Sequence, residues 1–180
     1  MQSIKMTKDY ALSLFEYKEG NLYWKVQKAP HVKVGSKVGS PAHGYETVYV
    51  DGKNWRIHRL VFLMHYGYLP KLIDHVNGNR IDNRIENLRE ANDTQNAYNI
   101  RMHKDNKSGI KGVSWDKYKD MWIAKIQANK KRIQLGYFKN IDDAKNAISE
   151  ARIKLHGEFA NHGYSTLAQP TKEQLDGISS

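Results

Sequence analysis

Cysteine is absent from the 180 residues, which removes disulfide staples, thiol nucleophiles and cysteine-ligated zinc together. Any metal must then be held by oxygen and imidazole, a donor set that points to magnesium, with manganese able to substitute. Apolar residues make up only 39% of the chain. That is little for one large core, so several small modules are expected. No apolar run is long enough to cross a bilayer, and the start MQSIKMTKDYALSL lacks the order of a secretory signal. The expectation is a soluble, cytoplasmic protein with no membrane partner. Repeats and low-complexity tracts are also missing.

Acidic charge is in short supply: 19 Asp and Glu stand against 29 Lys and Arg, a formal net charge of +10. Such a balance favours a polyanionic partner, DNA or RNA above all. The excess is uneven, with +4 over residues 1–57, +1 over 58–105, +6 over 106–163 and −1 over 164–180. Basic ends around a balanced centre suit a protein that grips a polyanion on both sides of a reaction. A generally basic, well-solvated surface is the plainer reading, and charge alone does not choose between them.

The pattern along the chain predicts an α+β protein. LFEYKEGNLYWKV and GYETVYVDGKNWRIHRL each hold two β-prone runs around a turn signal, Glu19-Gly20 and Asp51-Gly52, so residues 1–55 read as an antiparallel β region. Its outward Lys18, Lys25, Lys53 and Arg56 make it a candidate DNA contact. RLVFLMHY reads as a short buried helix that Gly67 and Pro70 end. KDNKSG is a linker, and three strand-like runs follow, broken at Lys119-Asp120 and Asn129-Lys130. A helix is then expected from Asp142, its N-cap, to His156, with Gly157 as its stop. Residues 164–180 read as a loosely held tail.

The segment IDHVNGNRIDNRIENLREANDTQN, residues 73–96, fits none of these packing patterns. Asparagine competes for backbone hydrogen bonds and is a poor filler of cores and helices, so something other than bulk packing is specified. Asp74 and His75 end an apolar run, VNGNR makes a turn, Asn87 lies twelve residues after His75, and Asn96 nine beyond that on a helix capped near Asn92. This set resembles the HNH motif of ββα-metal nucleases, in the phage and intron-encoded homing form where the third histidine is asparagine. The resemblance covers roughly residues 56–100, includes HRLV and DNR-IENLR, and makes residues 56–105 a nuclease module.

Phosphodiester cleavage needs an activated water and relief for the departing 3′ oxygen. A near-neutral imidazole makes His75 the candidate general base. Asp74 and Asn96 would form a half-shell for one octahedral magnesium, water and DNA oxygens filling the rest. The family implies that Asn87 orients His75 and ties the loop. Asn99, one turn beyond Asn96, is the alternative ligand. His58 and His65 read as structural, His58 being nearer the site. Arg80, Arg84 and Arg101 either clamp phosphates or solubilise.

Residues 106–163 resemble a second family. GIKGVSWDKYKDMWIAKI, RIQLGYF and the spaced Ala144, Ala147 and Ala151 ahead of HGEFAN look like the plant ethylene-response-factor (AP2/ERF) DNA-binding domain. The family implies a three-stranded antiparallel sheet on one helix, with Lys111, Ser114, Trp115, Lys117, Trp122, Lys125 and Arg132 facing DNA. Lys130 and Lys131 would meet phosphates. Arginines usual in the family are here Lys111 and Ser114, which weakens guanine readout. The combined expectation is a monomeric, site-recognising homing endonuclease that nicks one strand of double-stranded DNA and has no obligate protein partner. The alternatives are a DNA-binding regulator with an inactive nuclease module and an RNA-binding protein.

Overall fold

The computed structural model describes residues 5–99, 102, 103 and 105–163. Arg101 and the expected tail, 164–180, lie outside the described residues. The chain divides into two compact units, one up to Ala91 and one from Asn92 onward.

The first unit starts with a helix that the strand pattern did not announce: α1, Lys8–Leu14, capped by Thr7, whose side chain accepts from the Tyr10 amide. Only two of its residues, Ala11 and Leu14, are buried, too few to give a short segment a readable helical period. Strands β1, Phe15–Lys18, and β2, Asn21–Trp24, then form the expected hairpin. Its turn puts Glu19 at φ 47° and Gly20 at φ 83°, and a Cβ on Gly20 would lie 2.8 Å from the Arg84 amide. Only glycine fits there. Strands β3, Ser40–Ala42, β4, Tyr45–Val50, and β5, Lys53–Arg56, make an antiparallel sheet with β4 central, and Asp51-Gly52 is the β4–β5 turn.

Helix α2, Ile57–Tyr66, follows β5 without a linker and stops at Gly67 in the left-handed conformation. It begins two residues before the apolar run RLVFLMHY, so His58 sits in its first turn. Strands β6, Leu72–His75, and β7, Leu88–Ala91, close the unit as a two-stranded antiparallel pair. One core joins these elements: Leu14 and Phe15, Leu22, Val48, the buried length of α2 and Leu88 pack in a single cluster.

The second unit holds α3, Asp93–Tyr98, strands β8, Val113–Asp116, β9, Met121–Ala128, and β10, Lys131–Phe138, and helix α4, Ile141–His156. Asn92 caps α3 through a reciprocal capping box with Gln95. The three strands form an antiparallel sheet with β9 central. α4 packs on it through Ala144 and Ile148 against Val113, Ala124 and Ile126; small residues let a helix lie close over a sheet. The cap of α4 is Asn140 and not Asp142: the Asn140 side chain accepts from the Asp142 amide at 2.9 Å. Asp142 and Asp143 stand in the first turn, where negative charge suits the helix dipole.

Candidate nuclease site

Strand pairing places the first two motif residues. Asp74 lies opposite Arg89 and His75 opposite Leu88, at the last two positions of β6. Both are buried. Asp74 Oδ2 accepts from Arg89 Nε at 3.0 Å and Nη2 at 2.8 Å, so its charge is compensated within the hairpin.

The loop between β6 and β7 explains the run of asparagines. Asn87 joins its two ends: its Oδ1 accepts from the Asn77 amide at 2.9 Å and its Nδ2 donates to the Asp82 carbonyl at 2.7 Å. Asn77 in turn donates to the Asp82 carboxylate at 2.7 Å and accepts from the Asn79 amide at 2.8 Å. Arg84 closes on the same carboxylate through Nε at 2.8 Å and Nη2 at 2.7 Å. These donors, Arg84 first, hold Asp82 down to about 2. Arg84 is thus committed to the loop.

His75 is contacted by a residue that motif reasoning passed over. Its Nε2 lies 3.4 Å from Oδ1 of Asn83, which is 2% exposed. The amide orientation of Asn83 is set by its surroundings, because Nδ2 donates to Glu46 Oε2 at 3.1 Å and to the Ile81 carbonyl at 3.4 Å, both acceptors. Glu46 comes from β4 and pairs with Lys37 at 3.0 Å. With the Asn83 oxygen facing it, a neutral His75 carries its proton on Nε2, and Nδ1 is the basic nitrogen. Burial pushes the imidazole below its ordinary value, opposed by the Asn83 bond and the Asp74 and Asp82 charges, with Arg80 lowering it further. The ring is therefore neutral at pH 7.

Around His75 sit His58 and Tyr45. The His58 ring meets His75 edge-on at 5.0 Å, and Tyr45 is 5.2 Å from His58 and 6.3 Å from His75. Burial, then the positive potentials of His75, Arg56 and Arg59, take His58 down to about 3, and its Nδ1 is buried with no hydrogen-bond partner. Arg56 and Arg80 lie over the Tyr45 ring at 4.3 and 5.2 Å. Two exposed guanidinium groups therefore flank the base. Glu46, Asn83, Tyr45 and Arg56 all reach the site from outside or between the motif positions. The sequence signal available for them was the asparagine of DNR alone.

Among the described residues, no three His, Asp or Glu side chains come together to cage an ion. The donor types that the motif names, a carboxylate and an amide oxygen, are the hard oxygen ligands that magnesium takes together with water and substrate. Asn96 is exposed on α3 in the second unit. Asn99 is buried and receives both hydrogens' worth of the Asn161 amide, at its carbonyl (2.9 Å) and its Oδ1 (2.7 Å). That engagement occupies one of the two lone pairs of its Oδ1.

In the second unit the register sorts the expected DNA-facing residues. Trp115 pairs with Trp122 and Val113 with Ala124, so both tryptophans share the face that α4 covers. Trp122 packs against the α4 core cluster, and Trp115 meets its ring edge-on at 5.0 Å. Alternation along β8 and β9 gives both tryptophans the parity of the core, yet Trp115 is 43% exposed while Trp122 is partly buried against the α4 cluster. Ser114, Lys125 and Arg132 have the opposite parity and are exposed. Lys117 and Lys130 are exposed in the two turns, and Lys131 is exposed at the start of β10. Lys111 is not a free surface cation: its Nζ donates to the Tyr98 carbonyl at 3.0 Å, and burial beside Arg152 brings it down to about 8.

Residues 56–98 match the family model described as HNH endonuclease. Protein 3.8 of Escherichia phage T7 is 37% identical over 98 residues, 52% of this chain and 78% of that protein. A mimivirus protein named uncharacterized HNH endonuclease L560, from Acanthamoeba polyphaga mimivirus, is 29% identical over 120 residues, 65% of this chain and 61% of that protein. No solved structure matches the chain.

Proposed function

From the premise that this chain belongs to the same family as phage T7 protein 3.8 and carries an HNH endonuclease domain, we propose that it is a homing-type DNA endonuclease that nicks one strand. The observation that carries this reading is the His75 environment: a buried, neutral imidazole whose tautomer is set by Asn83 and Glu46. Nδ1 takes the proton from the attacking water. Arg56 and Arg80 hold the phosphate, and the loop latched by Asn87 keeps β6 and β7 in place as charge builds. Asp74 and, by the motif's spacing, Asn96 would hold one divalent ion, which would supply charge relief at the leaving 3′ oxygen. Magnesium is the proposed ion and manganese its substitute.

Site recognition is proposed for the second unit, as an AP2/ERF-like module. Support comes from the exposed basic residues on the sheet face away from α4, and from the basic β9–β10 turn. One nuclease motif per chain supports a monomer acting on double-stranded DNA.

A second reading is favoured by one observation. The Arg89 pair on Asp74 Oδ2 competes with any cation for that carboxylate, as expected of a DNA-binding protein whose nuclease centre is inert. Supercoiled plasmid incubated with magnesium or with EDTA separates the two. The nuclease reading expects relaxation with magnesium, none with EDTA, and none with His75→Ala. Binding without relaxation by any divalent ion selects the inert reading.

A further inference from the structure

The second unit contains a cavity of about 740 Å³, within the roughly 300–1,000 Å³ range of sites that hold small molecules. α3, the entry to β8, the far end of β9 and the last turns of α4 enclose it. Its lining combines three properties. Lys111, Lys125, Lys130, Arg132 and Arg152 line it against a single acid, Asp93. Tyr98, Val113 and Ile126 supply apolar and aromatic surface, and the Tyr98 ring lies flat on His156, 3.7 Å away and 5° from parallel. His156 itself is 8% exposed; its Nε2 meets the Gln127 carbonyl at 2.8 Å, so Nε2 carries the proton and Nδ1 is an acceptor. That Nδ1 is buried with no hydrogen-bond partner.

Cations beside a partly aromatic, apolar wall define a complementary ligand. It carries an anionic group joined to a flat ring or sugar face. A bare phosphate answers only the first of these, and a nucleoside only the second. A nucleotide answers both. The charge state of the wall agrees, since Lys111 and His156 are each held below their ordinary values by burial first, with Arg152 lowering both and the Gln127 carbonyl opposing the shift at His156. These groups are packed together at the expense of their own protonation, and an incoming phosphate relieves that repulsion.

We propose that this cavity binds one nucleotide of a DNA strand, with its phosphate on Lys125, Arg132 and their basic neighbours and its base or sugar along the wall that Tyr98 and His156 form. The inference rests on the nuclease reading only for the source of the nucleotide. A site of this kind would anchor a strand beside the recognition sheet through a single unstacked residue, adding affinity that base-pair readout does not supply.

The test is a titration of the full chain, followed by two-dimensional NMR, with a deoxynucleoside 5′-monophosphate, with inorganic phosphate and with the deoxynucleoside alone. The proposal expects saturable shifts at Tyr98, Gly112, Val113 and His156, with the nucleotide binding about tenfold more tightly than either part. Lys125→Ala with Arg132→Ala, both exposed and safe for folding, should weaken it at least about fivefold. His75→Ala should bind as wild type. Equal affinity for phosphate and nucleotide overturns the proposal, as does binding that ignores the Lys125/Arg132 double variant or shifts confined to other residues. A chain that binds the nucleotide yet never cuts DNA overturns the nuclease reading alone; one that cuts DNA with no nucleotide binding overturns this inference alone.

Discussion

The two units bury polar groups in opposite ways. In the first, buried or partly buried side chains satisfy one another: Asn77, Asp82, Asn83, Asn87 and Glu46 exchange neutral and charge-assisted hydrogen bonds around His75. In the second, cation-capable groups crowd together. Arg152 Nη2 donates to the Lys111 carbonyl at 2.6 Å, its Nη1 meets His162 Nδ1 at 3.4 Å, and His156, stacked on Tyr98, is lowered by both Arg152 and Lys111. A satisfied network fixes geometry, which is what a general base requires. A crowded cationic pocket stores a preference for an anion. The difference is what the proposed division, chemistry in the first unit and grip in the second, expects.

The largest break in that comparison is His75→Ala. Loss of the base should cut nicking by about 10²–10⁴-fold while thermal unfolding changes little. Plasmid nicking and a melting curve check it, and equal loss of both would recast His75 as structural. Next in size is Asn87→Ala, which strands the Asn77 amide and the Asp82 carbonyl. A cost of about 2–3 kcal/mol is expected from urea unfolding. Glu46→Ala sharpens the picture further: with its orienting acceptor gone, the Asn83 amide turns over and His75 populates both tautomers, visible in ¹⁵N shifts of the imidazole. Activity should fall about tenfold, or roughly 1.4 kcal/mol, and Glu46→Gln, which keeps an acceptor, should restore most of it.

Acid should weaken both units through their buried histidines. Burial, with Arg152, Lys111 and His156 behind it, takes His162 from 6.5 to about 4. Its folded value lies below its unfolded one, so the unfolded chain takes the proton first. The stability this neutral ring contributes is complete above pH 6.5 and is lost as pH falls towards 4. Asp82, held down from 3.8 to about 2, keeps its contribution above 3.8 and loses it only as pH falls through 2. His58 in the first unit, taken from 6.5 to about 3, loses its contribution over the same fall below 6.5, so hydrogen exchange at pH 5 should show protection lost around α2 as well as in α4 and β9. Protection unchanged in both places would contradict it. The smallest effect concerns the two sheet faces: Trp115→Ala should leave DNA affinity within about twofold, whereas Lys125→Ala should reduce the salt slope by about one.

Local chemistry was readable in the sequence wherever it acts over a few residues. Glu19-Gly20, Asp51-Gly52 and Asn129-Lys130 each adopt positive φ at the turns they announced, and Asn92 is the cap of α3. The spacing of His75 and Asn87 was readable too, and the loop between them is tied by Asn87. What escaped depends on register and distance. Glu46 reaches Asn83 across 37 residues, Tyr45 meets His75 through the same strand, and the side taken by Trp115 follows from which residue of β9 pairs with it. A one-residue slip of β8 would have put Trp115 on the open face, while Trp122 keeps the parity of Ala124 and Ile126. Helix α1 escaped because seven residues carry too little period, and its Thr7 cap was the one available sign.

The most direct measurement is cleavage of duplex DNA labelled on each strand in turn, resolved on denaturing gels with magnesium, with EDTA and with the His75→Ala chain. A cut in one strand that needs magnesium and vanishes with His75 is the expected result. Duplex that is bound but never cut, or a His75→Ala chain that cuts at the wild-type rate, would contradict it.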